Sequence, residues 1–374
     1  MTSRREFIKK SAWSTAGIAI SGVGFGTAHS INPRKDVNDT ITIGEKIKIG
    51  QIGVCHEHAS GNIEALKKMS DIYEIVGIVD DRSSNAARFG IDNFKYYEGL
   101  KWMTEEELFN TPGLQAVTVE TANFDLVPAA IRCMERNLAI HMDKPGGDDL
   151  ELFGKLLKGC KERHLPFQMG YMFRANPAIK FCQKIIRKNL LGDIFEIQAD
   201  MSHNYGGNIY QQYLSHFKGG IMFNLGCHHI DFVVSLLGRP EKITSFLKST
   251  SEAANDAKNN CLAVLEYPNT IVSIYACDIK PGERRIMIYG SQGSLELSPI
   301  ERFDGKPVQI KMTLRKGDEE YSAGIHNIDL GVMNDRYEGQ LLELAMMIRG
   351  EIENPYTYEH DYLVQECLLK ACEM

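Results

Sequence analysis

Hydrophobic residues follow two different patterns along the chain, and the change from one to the other falls near Gly170. Before this point, short runs rich in β-branched residues alternate with segments whose apolar residues recur every three or four positions. Such an alternation is typical of a parallel sheet covered by helices. The pattern predicts strands at 46–54, 74–80, 116–120, 139–142 and 166–170, and helices at 126–136 and 149–163.

Beyond Gly170 the pattern indicates mainly strands. A helical segment at 177–188 comes first, and turn residues at Pro268-Asn269 and Gly290-Ser291-Gln292-Gly293 then separate runs of strand-like sequence. We therefore predict a largely antiparallel sheet with helices on one face, closed by a helix at 358–372. The strands are predicted at 194–201, 243–249, 261–267, 270–277, 285–289 and 293–297.

These patterns predict an α/β protein with two domains, for which 374 residues are sufficient. The first is a Rossmann-type, doubly wound parallel sheet, and the second is an α+β domain with a large, mostly antiparallel open sheet. The predicted segments are an export signal at 1–30, a polar connector at 31–45, a dinucleotide-binding domain at 46–170 and a substrate and oligomerisation domain at 171–374.

The first thirty residues predict export. Arg4-Arg5 is followed by Phe7, Ile8 and Lys9, and then by a weakly apolar stretch rich in Gly, Ala and Ser. This combination is typical of a twin-arginine signal, which directs a folded protein to the periplasm, whereas a disordered basic tail is the alternative. The stretch is too short and too glycine-rich to serve as a stable membrane anchor.

Composition narrows the classes of partner and ligand. A net charge of −7 without a basic block excludes a nucleic-acid polyanion as the expected partner. The nine cysteines include no C-x-x-C pair, and no histidines have the spacing of a zinc site. We expect the cysteines to be mostly small buried hydrophobes, and we expect no metal site.

The turn after the first predicted strand is a candidate cofactor site. It runs from Gly53 to Gly61, and only Gly53 matches the glycine fingerprint of a dinucleotide-binding turn, because Cys55 occupies the second glycine position. An ordinary strand-to-helix turn is the alternative. Asp80 ends the second strand, where a carboxylate can accept both ribose hydroxyls, and with Asp81 it favours NAD over NADP; capping of the next helix is the alternative. The predicted cofactor-binding residues are Gly53, Cys55, His56, His58, Asp80, Asp81, Thr121 and Lys144.

Lys144 is a candidate catalytic residue. It follows a buried strand in the segment His141-Met142-Asp143-Lys144-Pro145. A lysine at the carboxyl end of a parallel strand points into the crevice where such sheets bind ligands, and a nearby nicotinamide would lower its pKa toward the acid–base range. A lysine that simply reaches solvent is the alternative.

The segment around Lys144, together with Gln168-Met169-Gly170-Tyr171 and Arg174-Ala175-Asn176-Pro177, resembles the Gfo/Idh/MocA family of oxidoreductases, which includes glucose-fructose oxidoreductase and inositol dehydrogenase. The resemblance covers nearly the whole chain after the signal. Family members carry Glu-Lys-Pro where this chain has Asp143-Lys144-Pro145, and the lysine there contacts the reacting hydroxyl. The resemblance also implies that Tyr171 and Arg174 line the cleft between the domains.

A second family element resembles the segment from Gly219 to Asp231. It implies that His228 is the general base, because the family's histidine has this position; the neighbouring His229 would point about a hundred degrees away on a helix. Asn224 stands where many relatives have Asp, and it either holds a substrate hydroxyl or caps the following helix. Asp231 either orients His228 or satisfies the backbone.

The predicted catalytic residues are therefore Lys144, His228 and Asn224, and the predicted substrate contacts are Tyr171, Arg174, Tyr205, Tyr210, His228 and Asp231. Together they predict hydride transfer between NAD and a secondary hydroxyl of a sugar, glycoside or cyclitol. An enzyme that cleaves or epimerises glycosides through a transient keto sugar, and a non-catalytic protein that binds NAD or sugar, are the alternatives. The resemblance also implies a homo-oligomer, a dimer or tetramer.

Overall fold

The computed structural model describes residues 45–80, 94–204, 207–250, 253–282 and 284–374. The predicted export signal and nearly all of the connector lie outside these ranges, as do the predicted site residues Asp81 and Tyr205. Within the described ranges no helix is long and apolar enough to cross a membrane.

The first sheet has six parallel strands in the order β3-β2-β1-β4-β5-β6. This is the strand order of a dinucleotide-binding fold, in which the crevice for the ligand opens beyond the carboxyl ends of β1 and β4. Four of the strands are buried along almost their whole length, which explains their continuous apolar sequences. The strands are β1 (Ile47–Ile52), β2 (Tyr73–Val79), β3 (Trp102–Met103), β4 (Ala116–Val119), β5 (Ala139–Met142) and β6 (Phe167–Met169).

Four helices accompany this sheet, and their ends follow local sequence signals. Thr104 begins the second of them in a capping box with Glu107, and Asp149 caps the fourth by accepting the N–H of Leu152. The helices are α1 (Ala59–Lys68), α2 (Glu105–Phe109), α3 (Leu126–Glu135) and α4 (Leu150–Arg163). The predicted parallel sheet covered by helices is confirmed, with most element ends within two residues of the prediction.

The second sheet has eight strands in the order β14-β13-β12-β11-β7-β10-β9-β8, and only β7 and β10 pair in parallel. Buried and more exposed residues alternate along β9, as expected when one face packs against helices and the other stays open. The strands are β7 (Ile194–Asp200), β8 (Lys242–Lys248), β9 (Asn260–Glu266), β10 (Ile271–Cys277), β11 (Arg285–Gly290), β12 (Gly293–Leu297), β13 (Pro307–Leu314) and β14 (Gly324–Val332).

Five further helices complete the described chain: α5 (Pro177–Arg187), α6 (Asn208–Leu214), α7 (Cys227–Leu237), α8 (Glu338–Ile348) and α9 (Tyr358–Ala371). A short π-helical turn, Met222–Gly226, leads directly into α7. Helix α8 was not predicted; its Leu341 and Leu344 pack into the same apolar core as Ile47 of β1 and Ile63 of α1. All nine cysteines are buried, as expected.

Candidate active site

The turn between β1 and α1 brings three chain segments into close approach. Gly53 has φ +93°, and a Cβ placed on it would lie 2.5 Å from the backbone nitrogen of Thr121, so this position requires glycine. No side chain caps the N-terminus of α1, and no acidic residue lies in its first turn, which leaves the helix end suited to an anion. Cys55 is buried beside this turn.

Lys144 lies at the carboxyl end of β5 and is fully buried. Its Nζ donates to Glu57 Oε1 at 2.9 Å and to the backbone oxygen of Asn224 at 2.9 Å. Burial lowers the pKa of Lys144, but the negative charge of Glu57 and its neighbours outweighs this effect and raises it above the ordinary value. Lys144 is therefore an ammonium at neutral pH.

Four buried side chains behind Lys144 form a group that we call the histidine–carboxylate cluster: His56, His58, Glu120 and Asp143. Asp143 receives the backbone N–H of Lys144 at 2.6 Å and contacts both histidines. Burial, followed by the charge of Asp143, raises the pKa of Glu120 well above its usual range. His56 and His58 therefore face carboxylates inside the protein, whereas the sequence suggested cofactor contacts for both.

His228 lies in the first turn of α7, and both of its ring nitrogens are buried without a hydrogen-bond partner among the described residues. Burial, assisted by the charge of Lys144, holds the pKa of His228 well below its ordinary value, so the imidazole is neutral. The pKa of His229 is also lowered, to about 4, by burial, but Lys144 is not among the charges that act on it. His228 therefore faces the lysine more closely than His229 does.

Asn224 lies within the π-helical turn and does not cap α7, which begins at Cys227 with Gly226 as its N-cap. Its backbone oxygen accepts from Lys144, and its side-chain Nδ2 donates to the hydroxyl of Tyr210 at 2.9 Å. The side-chain Oδ1 is buried and has no partner in the described part of the chain. Because π-helical turns often occur at functional sites, this segment is suited to hold a ligand hydroxyl.

Arg174 and Asp231 belong to a second buried group, which we call the arginine network: Arg174, Asp231, His360 and Asp361. The guanidinium Nη2 donates to Asp231 at 2.7 Å and to Asp361 at 2.6 Å, and Asp231 also contacts His360. Arg174 could contact a substrate only if these bonds opened. Asp231 pairs with Arg174 instead of orienting His228. The structure thus gives Arg174 and Asp231 a different role from the predicted one.

Aromatic side chains lie beside His228 and beside an open cavity. Tyr171 is buried with its ring edge-on to His228, at 5.8 Å between centroids. Tyr210 lies 6.0 Å from the ring of His203, which lines a cavity of about 390 Å³ together with Arg284, Glu301 and Phe303. Asp80 follows β2 and is exposed at the edge where the crevice opens.

Sequence reasoning missed three residues that the structure brings to the site. Glu57 pairs with Lys144, and although burial opposes it, this lysine's charge helps to lower the pKa of Glu57 to about 2. Glu120 ends β4 and lies between Asn62 and the cluster histidines. Asp361 holds Arg174. Asp361 carries no local sequence signal. Glu120 does carry one, because a carboxylate directly after a buried strand could have been noticed.

The strand order, the glycine turn and the buried lysine define a nucleotide-binding oxidoreductase. Residues 47–171 match the model described as "Oxidoreductase family, NAD-binding Rossmann fold". Residues 179–296 match the GFO/IDH/MocA C-terminal domain, and the two matches together cover well over half of the chain. The chain belongs to the Gfo/Idh/MocA family of oxidoreductases.

Relatives with assigned names are distant. The uncharacterized oxidoreductase YhhX of Escherichia coli is 24% identical over 66% of this chain and 80% of its own length. The scyllo-inositol 2-dehydrogenase (NADP(+)) IolW of Bacillus subtilis is 23% identical over 75% and 76%, respectively. The trans-1,2-dihydrobenzene-1,2-diol dehydrogenase of Sus scrofa is 20% identical over 51% of this chain, and the match spans 57% of that enzyme. The chain thus matches little more than half of the dihydrodiol dehydrogenase.

Solved structures support the fold. An oxidoreductase from Agrobacterium radiobacter, in complex with NAD+, L-tartaric acid and magnesium, superposes with a TM-score of 0.70 at 17% identity and covers 87% of this chain and 94% of its own. An oxidoreductase from Thermotoga maritima gives a TM-score of 0.69 at 19% identity, with 88% and 96% covered. At such identities the likeness concerns the fold alone.

Proposed function

We propose that this protein oxidises a secondary hydroxyl of a sugar, glycoside or cyclitol with NAD as the cofactor. One observation carries the proposal: a buried ammonium, Lys144, acts electrostatically on His228, a neutral imidazole whose two ring nitrogens have no partner among the described residues. Oxidation of an alcohol requires a group that holds the hydroxyl oxygen and a group that accepts its proton. The two side chains supply these two functions.

The pKa directions support one role for each of these two residues. Lys144 is protonated, because Glu57 raises its pKa above the ordinary value, and so it donates a hydrogen bond to the hydroxyl oxygen and stabilises negative charge there. His228 is neutral and accepts the hydroxyl proton. Asn224 Oδ1 is a further acceptor for a neighbouring hydroxyl. NAD, when bound, takes the hydride from the carbon.

The residues around the crevice fit a dinucleotide. The requirement for glycine at Gly53 and the uncapped N-terminus of α1 suit a pyrophosphate, and Asp80 at the end of β2 suits the ribose hydroxyls. The carboxylate at Asp80 supports NAD over NADP in this chain, although the relative IolW is named for NADP(+).

The substrate class rests on the relatives and on the cavity beside His203. Two relatives are named for an inositol and for a ring diol, and both names denote polyhydroxylated or dihydroxylated rings. The cavity of about 390 Å³ combines charged side chains with Phe303, a combination that suits the hydroxyl groups and apolar faces of a sugar ring. These features support a carbohydrate or cyclitol as the substrate.

Export and self-association complete the proposal. Arg4-Arg5 favours transport of the folded protein to the periplasm. A tightly held NAD would be loaded before this export. Several large apolar side chains on the eight-stranded sheet are about half exposed or more, and they favour a homo-oligomer through its open face. They are Phe195, Phe246, Ile271, Ile325 and Val332.

The test combines the content of bound cofactor with one substitution. Full-length protein purified after expression is denatured, and the released nucleotide is identified by absorbance and mass; turnover is then assayed on methyl glucosides, glucose and inositols. We expect NAD(H) in the wild type, and we expect Lys144→Met to lower kcat by about 10²- to 10⁴-fold while NADH binding persists. Lys155→Met, on the exposed face of α4, is the matched control. Turnover of Lys144→Met close to that of the control would refute the proposal.

A further inference from the structure

The histidine–carboxylate cluster joins residues from three separate parts of the chain. His56 and His58 lie in the turn between β1 and α1, Glu120 follows β4, and Asp143 follows β5. None of these side chains is more than slightly exposed: His58 has 7% of its surface accessible and Glu120 has none. Imidazole and carboxylate groups that converge inside a protein are the usual ligands of divalent transition metals.

The distances between the candidate ligand atoms agree with such an ion. His58 Nδ1 lies 3.0 Å from Asp143 Oδ2, and His56 Nδ1 lies 3.3 Å from the same oxygen. Glu120 Oε2 is 3.8 Å from His56 Nδ1, and its carboxyl group also lies beside that of Asp143. In a tetrahedral zinc site with bonds of about 2.0–2.1 Å, neighbouring ligand atoms are separated by roughly 3.3 Å.

The second ring nitrogen of each histidine is already directed toward an acceptor. His56 Nε2 donates to the backbone oxygen of Lys144 at 3.0 Å, which leaves Nδ1 as the lone-pair nitrogen facing the cluster. His58 Nε2 lies 3.7 Å from Glu57 Oε1. Metal-binding histidines typically donate their other N–H to a carbonyl or carboxylate; His56 follows that rule, whereas His58 Nε2 faces Glu57 beyond hydrogen-bond distance.

Charge and hydrogen bonding leave the cluster incomplete. Three carboxylates, those of Glu57, Glu120 and Asp143, surround the single ammonium of Lys144 in a buried volume. Glu120 Oε2 is fully buried and has no hydrogen-bond partner among the described residues. A buried carboxyl oxygen without a partner is costly, and a divalent cation beside Glu120 Oε2 would supply the missing partner.

We propose that His56, His58, Glu120 and Asp143 bind one divalent transition-metal ion, of the Zn²⁺ class, behind Lys144. Nitrogen and carboxylate ligands without sulfur suit Zn²⁺, Co²⁺, Mn²⁺ or Fe²⁺. The ion fixes Asp143, whose carboxylate accepts the backbone N–H of Lys144. It therefore positions the lysine without contacting the substrate hydroxyl. The occupancy of the site is measured without turnover.

In the absence of metal, the same side chains bond to one another. The backbone N–H of His58 then donates to His56 Nδ1, and His58 Nδ1 donates to Asp143, as the distances of 3.2 and 3.0 Å allow. This metal-free arrangement leaves Glu120 Oε2 without a partner, and it is the alternative that the experiment must separate from the proposal.

The experiment measures metal content in full-length protein purified without chelator or an affinity column that carries metal. We expect about one ion per chain by elemental analysis, removal by chelation, and a visible d–d spectrum of tetrahedral Co²⁺ after reconstitution with Co²⁺ alone. Glu120→Gln and His58→Gln should each weaken Zn²⁺ binding by at least about tenfold. His141→Gln, a buried histidine on β5 that bonds to Gln168 outside the cluster, is the matched control and should bind as the wild type does.

Circular dichroism and NADH binding of each variant report whether it is folded. A wild type that contains no stoichiometric metal and acquires neither the Co²⁺ spectrum nor thermal stabilisation with Zn²⁺, Mn²⁺ or Fe²⁺ would overturn the proposal. Wild-type binding of Zn²⁺ by folded Glu120→Gln and His58→Gln would also overturn it. Neither result bears on hydride transfer, which is tested separately with Lys144→Met.

Discussion

Two buried ionic groups differ in how directly their carboxylates are paired with a cation. In the arginine network, one guanidinium bonds directly to both carboxylates, although Asp361 Oδ2 is buried without a partner among the described residues. In the histidine–carboxylate cluster, the nearest cation is Lys144, and Glu120 retains a buried oxygen without a partner in the described chain. A matched network indicates structural support, whereas a mismatched one indicates a place for a ligand.

Removal of Arg174 should have the largest effect on stability. Arg174→Met leaves Asp231 and Asp361 buried beside each other, and we expect the free energy of unfolding to fall by about 3–5 kcal/mol. Urea denaturation followed by circular dichroism measures this loss. Arg239→Met removes an exposed pair with Glu366 and should cost no more than about 1 kcal/mol. Equal losses in the two variants would contradict a structural role for the arginine network.

His229 and His203 should make the free energy of unfolding depend on pH below pH 6.5, where Arg174 stays charged. Burial lowers the pKa of His229 to about 4 and that of His203 to about 3. Below pH 6.5 the unfolded chain therefore binds protons that the folded chain does not, and acidification favours unfolding. Each histidine should contribute about 1.4 kcal/mol per pH unit between pH 6.5 and its folded pKa.

Urea denaturation at pH 7, 6 and 5 checks this dependence. The raised pKa of Glu120 acts in the opposite direction, so the informative quantity is the difference between the wild type and His229→Gln. The variant should lose less stability on acidification, by about the contribution of one histidine. An unchanged slope would show that His229 is protonated in the folded protein.

The sequence was sufficient for five of the six strands of the first sheet, because most of them are buried and read as continuous apolar runs, whereas the short strand β3 was missed. It was also sufficient to select Lys144, since a charge that directly follows a buried strand is conspicuous. Strands β13 and β14 and helix α8 were missed. The burial pattern of β14 alternates only weakly between intermediate and exposed positions, so it gives little apolar signal.

Partners within the site were harder to predict than the site's position. Glu57 and Lys144 are 87 residues apart, and His58 and Asp143 are 85 residues apart, so only the fold brings them together. In the sequence, Glu57 lies in a polar segment that looks like an exposed turn. His56 and His58 lack the spacing of a known zinc motif. The roles of Arg174 and Asp231 were likewise set by Asp361, which belongs to the last helix.

The smallest expected effect tests whether the Glu120 carboxyl group lacks a partner in the metal-free protein. Glu120→Gln keeps this position neutral and places a donor next to Asp143, while the acceptor for Asn62 can be kept. In chelator at neutral pH we expect this variant to be more stable than the wild type by about 1 kcal/mol, because a buried group without a partner gains one. Urea denaturation with and without added Zn²⁺ measures the change. With Zn²⁺ the order should reverse, since the wild type gains more free energy from metal binding than the variant does. A variant that is less stable than the wild type in chelator would mean that Glu120 is already well paired, and the contrast between the two buried groups would then be lost.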